Sequence, residues 1–182
     1  MVRRDARSDI LRTAMQLFYA EGSRAIGVDR VIAEAAVAKA SFYLHFPSKA
    51  ALLIATLEAR DADVRGWLCQ AASERAAEKR IPPALAMFDI VAKWAAGDGF
   101  HGCGFLRAVF DSPDNIEARA IGAAHKLALE NWIAESLAPD QRDKAAALTI
   151  LLDGSVAQAF LFDDPGRIAI ARRVAETLLG AP

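Results

Sequence analysis

The sequence predicts an all-α protein of nine helices. Apolar residues recur at spacings of three and four, strand-type alternation is absent, and Gly/Pro punctuation falls between long periodic stretches. Of the 182 residues, 54% are hydrophobic and 25% charged, which supplies a core and excludes a disordered polyelectrolyte.

The first helix is expected over 7–21, where Ile10, Leu11, Ala14, Leu17 and Phe18 share one stripe and Gly22-Ser23 ends it. A second covers 28–35 with Val28, Val31, Ile32 and Ala35 inward. After a tight connection at 36–37, a third covers 38–45, anchored by Phe42 and Phe46. Pro47 breaks it, and Ser48 is a natural N-cap for a long fourth helix running from Lys49 into the 70s. Pro82-Pro83 opens a fifth over 83–96, after which Gly97, Gly99, Gly102 and Gly104 surround His101 and Cys103. A short sixth helix near 104–110 stops at Asp111-Ser112-Pro113, and a seventh spans 115–137. The eighth is expected over 141–162, with Asp140 and Asp143 suited to the positive end of its dipole. Asp164-Pro165, an N-cap followed by Pro at the first helical position, starts the ninth over 165–179.

Two cysteines, Cys69 and Cys103, exclude a disulfide-rich secreted scaffold. Every apolar run is read as broken by charge or Gly before the roughly 18 to 20 residues a bilayer requires, and the start Met1-Val2-Arg3-Arg4-Asp5 leads into an amphipathic segment. A soluble cytoplasmic protein with no membrane partner is expected. The formal charge of -1 conceals an asymmetry: residues 1–49 carry eight basic and five acidic side chains, whereas the remainder is net acidic. A small basic head on a larger acidic body suits a polyanion-binding module, although so small an excess also arises by ordinary scatter.

Three helices before Pro47, the last two short and tightly joined, describe a helix-turn-helix whose third helix faces a DNA major groove. Removing the inward positions of 38–45 leaves Lys39, Ala40, Ser41, Tyr43 and His45 outside. Lys39 suits guanine edges or phosphate, Ser41 the groove wall, and Ala40 close approach to a thymine methyl. Tyr43 and His45 reach phosphate oxygens, with packing in the small head as the other role open to Tyr43. Lys49 lies in the first turn of the next helix, where the dipole also favours an anion. Arg3, Arg4 and Arg7 add phosphate or minor-groove contacts. No ligand-type side chain stands at metal spacing beside His45, so neither a metal nor a cofactor is expected.

Three stretches carry a family resemblance: Ile10-Leu11-x-x-Ala14-x-x-Leu17-Phe18-x-x-Glu21-Gly22, Val28-x-x-Val31-Ile32-Ala33-x-Ala35, and Val37-Ala38-Lys39-Ala40-Ser41-Phe42-Tyr43-x-His45-Phe46-Pro47-Ser48-Lys49-x-x-Leu52-Leu53. Together they resemble the N-terminal signature of TetR-family transcriptional regulators. The resemblance implies a nine-helix fold and a homodimer, most members being repressors released from operator DNA by a small ligand. It places Lys39, Ser41, Tyr43, His45 and Lys49 at positions that commonly touch DNA, and Gly27 and Val28 where the second helix starts against a phosphate. The chain departs from the pattern at Ala36, where Gly is common, at Ala38, where Ser or Thr is common, and at Ala40, often Gly. Gly27 stands in place of a hydroxyl cap.

The expected division is a helix-turn-helix DNA-binding domain, 1–48, and a helical effector-binding and dimerisation domain, 49–182. Leu148, Leu151, Leu152, Ser155, Val156, Ala159 and Phe160, with Ile170, Val174 and Leu178, form the expected dimer surface, intrachain core being the alternative. Trp67, Phe88, Trp94, Phe100, Cys103, Phe105, Leu127, Asn131 and Trp132 are candidates for an apolar effector cavity, each also suited to ordinary core. Gly102-Cys103-x-Phe105 also resembles a local pattern in one branch of the family.

The resulting expectation is a repressor that binds a palindromic operator in double-stranded DNA and is released by a hydrophobic or aromatic effector. One alternative keeps DNA binding and makes Cys103 a redox-sensing thiol. An enzyme using Cys103 with His101 or His125 is the other, but no nucleophile or phosphate-loop motif supports it.

Overall fold

The computed structural model describes residues 5–180, which are all-helical. Nine α-helices occur among them: α1 (Ala6–Glu21), α2 (Val28–Ala35), α3 (Lys39–His45), α4 (Lys49–Lys79), α5 (Pro83–Ala95), α6 (Gly104–Asp111), α7 (Ile116–Ser136), α8 (Ala145–Phe162) and α9 (Gly166–Leu179). The expected 141–162 helix begins later, because Pro139–Lys144 forms a 3-10 turn ahead of α8. That polar segment has no buried residue to hold a wider α-turn against a core.

Two compact units result. The first comprises residues up to Ala62 with Gly104–Ala123, and the second comprises Asp63–Cys103 with Ala124 onward. In the first, Ile10, Ala14, Val31, Phe42, Phe46 and Leu52 are buried, and Ile26, in the loop before α2, joins them. Leu11, Val28 and Ile32, expected inside, are only half-buried. A head of three short helices has too little interior to bury every apolar face fully.

Local chemistry sets the helix ends. Asp5 caps α1, accepting from the Arg7 N–H at 3.2 Å and the Ser8 hydroxyl at 2.5 Å. The Ala51 N–H donates to Ser48 Oγ at 3.0 Å, the cap expected for α4. Gly166 N–H donates to Asp164 Oδ1 at 2.9 Å, but α9 begins one residue later than read, with Pro165 as its N-cap rather than its first helical residue. Gly22 ends α1 at φ +91°, and a Cβ there would lie 2.8 Å from the Asp111 carboxylate. Both the backbone angle and the space therefore require glycine.

In the second unit, α5, α8 and α9 pack together around Leu85, Phe88, Leu148, Leu152, Ile168 and Ala175. Among the described residues one helical stretch, Pro139–Phe162, contains an 18-residue window with a mean hydropathy of 1.6, long and apolar enough to cross a membrane by length and composition alone. This corrects the expectation that no segment reaches that length, since Asp153 is the only charge within α8. One side of α8, including Leu148, Leu152 and Val156, serves as core.

Candidate DNA interface

The geometry of α3 follows from one side chain. Phe42 is fully buried, with its ring edge-to-face against Tyr43 at 5.2 Å and tilted against Phe46 at 6.1 Å. Anchoring Phe42 inward turns the opposite side of the helix out. Lys39, Ala40 and Tyr43 are exposed, and Ser41, His45 and Lys49 are half-buried. Leu44, omitted from the expected reading face, is 80% exposed and projects beside Tyr43. Its exposure next to a buried Phe was available from helical phase, but an apolar residue was assigned inward by type.

The face is also electrostatically organised. Lys39 Nζ lies 3.1 Å from Asp29 Oδ1 on α2, and that hydrogen bond holds the Lys39 pKa above the ordinary lysine value. Arg30 makes a two-pronged pair with Glu21 at 2.6 and 2.7 Å and a third bond to Glu34 at 2.8 Å, which ties α2 to the end of α1. Arg7 is exposed, with its guanidinium 5.6 Å from the centre of the Phe46 ring. Arg3 and Arg4 lie outside the described residues.

Helix α2 starts at exposed Gly27 without a side-chain cap, and Val28 is half-buried in its first turn. Helix α3 likewise starts at Ala38 with no side-chain cap. The N-terminal N–H groups of both are thus left for solvent or an anion. Between them Ala36 takes the left-handed conformation, φ 54° and ψ 44°, at the position where the sequence lacks glycine.

A contact set that the sequence did not reveal fastens α6 to this head. Arg107 Nη1 donates to the carbonyls of Tyr19 at 2.9 Å and Ala20 at 3.3 Å, satisfying the C-terminal end of α1. Asp111 Oδ2 accepts from the Ser23 hydroxyl and the Arg24 N–H, each at 3.3 Å. The partners stand 87 and 88 residues apart, beyond the reach of any local pattern.

The proposed effector residues are not drawn together as a group. Phe88 is fully buried core, Phe105 is buried in the first compact unit, and Trp67, Leu127 and Asn131 are exposed. Half-buried Trp94 and Phe100 meet edge-to-face at 4.8 Å, and Phe160 joins Phe100 at 6.3 Å and His101 at 6.4 Å. Trp132 is half-buried against the second unit's core. Cys103, also half-buried, hydrogen-bonds with Lys126, which donates to Asp153 Oδ1 at 2.5 Å. Among the described residues no group of three or more His, Cys, Asp or Glu is arranged to hold a metal.

The dimer set divides by burial. Leu148, Leu152, Ser155, Val156 and Ala159 are buried within the single chain, and a partner cannot cover them in this conformation. Leu151 is half-buried, whereas Phe160, Ile170, Val174 and Leu178 are exposed. The outer side of α8 carries Ile150, Gly154 and Leu161, of which Ile150 is 72% exposed.

Comparison with known proteins assigns the family. A family model described as bacterial regulatory proteins of the tetR family matches residues 10–56. No curated protein matches the chain. Among solved structures, a TetR-family transcriptional regulator from Streptomyces coelicolor is 31% identical, with a TM-score of 0.85 over 97% of this chain and 89% of that one. The reduced form of E. coli NemR gives a TM-score of 0.84 at 20% identity, covering 98% of this chain and all of that one, 100%. Regulatory protein TetR from Rhodobacter sphaeroides gives 0.77 at 22% identity, covering 97% and 98% of the two chains. With the helix-turn-helix signature, the nine-helix order and this identity over nearly the whole length, the chain belongs to the TetR family of DNA-binding transcriptional regulators.

Proposed function

We propose that the protein is a repressor that binds a palindromic operator as a homodimer and leaves it when a hydrophobic or aromatic effector binds. Residues 1–48 read DNA, and 49–182 carry dimerisation and effector binding. One observation supports the reading face above all: Phe42 buried beneath a helix whose Lys39, Ala40, Tyr43 and Leu44 are all exposed. Lys39 addresses guanine or phosphate, Leu44 and Ala40 supply apolar contact to thymine methyls, and Tyr43, Ser41, His45 and Lys49 address phosphates. The bare N-terminus of α2 at Gly27 and Val28 receives a further phosphate, and Arg7 adds charge to the same edge. In an electrophoretic shift assay, Lys39→Ala with Tyr43→Phe is expected to weaken operator binding at least tenfold and to flatten its salt dependence. Unchanged affinity overturns this reading face.

The dimer surface proposed is the exposed apolar stripe of α8 and α9: Ile150, Gly154, Leu161, Ile170, Val174 and Leu178. Two copies of that pair form a four-helix bundle and set two heads about 34 Å or a multiple apart, the spacing of operator half-sites. Sedimentation equilibrium of Val174→Asp is expected to give the monomer mass where the parent chain gives twice that.

Trp94, Phe100 and Phe160 supply the aromatic surface on which the effector reading rests. An effector switches the protein only if it prefers the conformer with misplaced heads. Arg107 and Asp111 provide a route by which displacement of α6 reaches α1. Titration calorimetry yielding equal effector affinity for free and operator-bound protein excludes the coupling. A second reading, Cys103 as a redox-sensing thiol, is favoured by its contact with Lys126. Peroxide release from the operator, abolished in Cys103→Ser, is its test.

A further inference from the structure

Asp29 and Lys39 form an ion pair whose place matters more than its strength. Asp29 lies in the first turn of α2 and Lys39 opens α3, with Lys39 Nζ 3.1 Å from Asp29 Oδ1. Their side chains are 86% and 64% exposed, and a pair so open to water contributes little to folding. Arg30, the sequence neighbour of Asp29, is held by Glu21 and Glu34 and leaves the Asp29 carboxylate to Lys39. Lys39 shares the outward side of α3 with exposed Ala40, Tyr43 and Leu44. A carboxylate is therefore kept beside the surface that meets DNA, where a negative charge opposes binding to a polyanion.

We propose that Asp29 is a specificity-determining residue that acts through Lys39, directing its ammonium to a guanine edge and away from phosphate. This role rests on the DNA-reading face proposed above, on which guanine and phosphate both stood open to Lys39. An ammonium has three N–H donors: one goes to Asp29, and two remain for the O6 and N7 acceptors that guanine presents side by side in the major groove. Those acceptors carry no formal charge, so the ion pair survives the contact. A phosphate oxygen bonded to the same ammonium lies within about 6 Å of the carboxylate, inside the screening length of about 8 Å at physiological salt. Like-charge repulsion then opposes the phosphate contact whatever the sequence, whereas guanine takes both remaining donors without it. Asp29 thus weakens binding to random DNA more than binding to the operator.

The test uses the full chain, an operator selected from random duplexes and a scrambled duplex of the same composition, compared by electrophoretic shift across salt concentrations. Asp29→Asn is expected to tighten binding to the scrambled duplex at least about threefold and to steepen its salt dependence by about one phosphate contact. Binding to the operator should change less, so the operator-to-scrambled ratio falls, and Asp29→Glu should restore it. Operator guanines are then replaced singly by 7-deazaguanine, which lacks the N7 acceptor. One position in each half-site is expected to cost the parent chain at least about threefold in affinity, and to cost Asp29→Asn and Lys39→Ala less. An Asp29 that only complements the α2 dipole changes the melting temperature of Asp29→Asn without changing base preference. An unchanged ratio, or a guanine dependence that Asp29→Asn leaves intact, overturns the role of Asp29 while the reading face survives. A parent chain that prefers no sequence overturns both.

Discussion

The reading head and the α8–α9 pair present opposite kinds of helix. In α1–α3 the large apolar residues lie mostly on one side, with Leu44 the exception, so burying Ile10, Val31 and Phe42 fixes the orientation. Helix α8 is apolar on every side, with Leu148 and Leu152 inside while Ile150 and Leu161 face out. An amphipathic helix announces its buried face. A uniformly apolar one requires its neighbours to be known, and the half of it left exposed is what a partner can use.

Substitutions around α8 test that contrast most strongly. Leu148→Ala is expected to cost about 2–5 kcal/mol in chemical denaturation, since it opens a cavity in the second unit's core. Ile150→Ala, two residues away, is expected to shift the monomer's unfolding free energy by no more than about 0.5 kcal/mol, while weakening self-association in sedimentation. Equal losses at both positions break the comparison.

In the head the sensitive points are backbone positions. Gly22→Ala meets a positive φ and the Asp111 carboxylate together, and is expected to cost about 2 kcal/mol. Ala36→Gly should move the other way, raising stability by about 1 kcal/mol, because it relieves a left-handed alanine. Smaller still, Ala38→Ser supplies the cap that α3 lacks and is expected to add roughly 0.5–1 kcal/mol. Thermal unfolding of the three variants in parallel orders these effects, and a stabilised Gly22→Ala contradicts the close packing seen there.

Much of the head was legible from residue spacing. Phe42 and Phe46 set the phase of α3, and Ser48 and Asp164 mark helix starts through hydrogen bonds made within three residues. Leu44 was missed because its type suggests burial, whereas its phase places it outside. Arg107 and Asp111 were missed for a different reason: their partners on α1 and in the following turn are remote in sequence, and only packing joins them. The same holds for Lys126, an unremarkable charge on α7 until the fold brings Cys103 and Asp153 to it.

The amino-acid order alone determined the helical class, the element sequence and the buried side of α3, because helix periodicity, caps and the Phe42 anchor act over a few residues. Tertiary structure decided which flank of α8 becomes core, which aromatics meet and which lysine accompanies Cys103. Those outcomes depend on competition among distant surfaces for a limited interior, and no local pattern records who wins it.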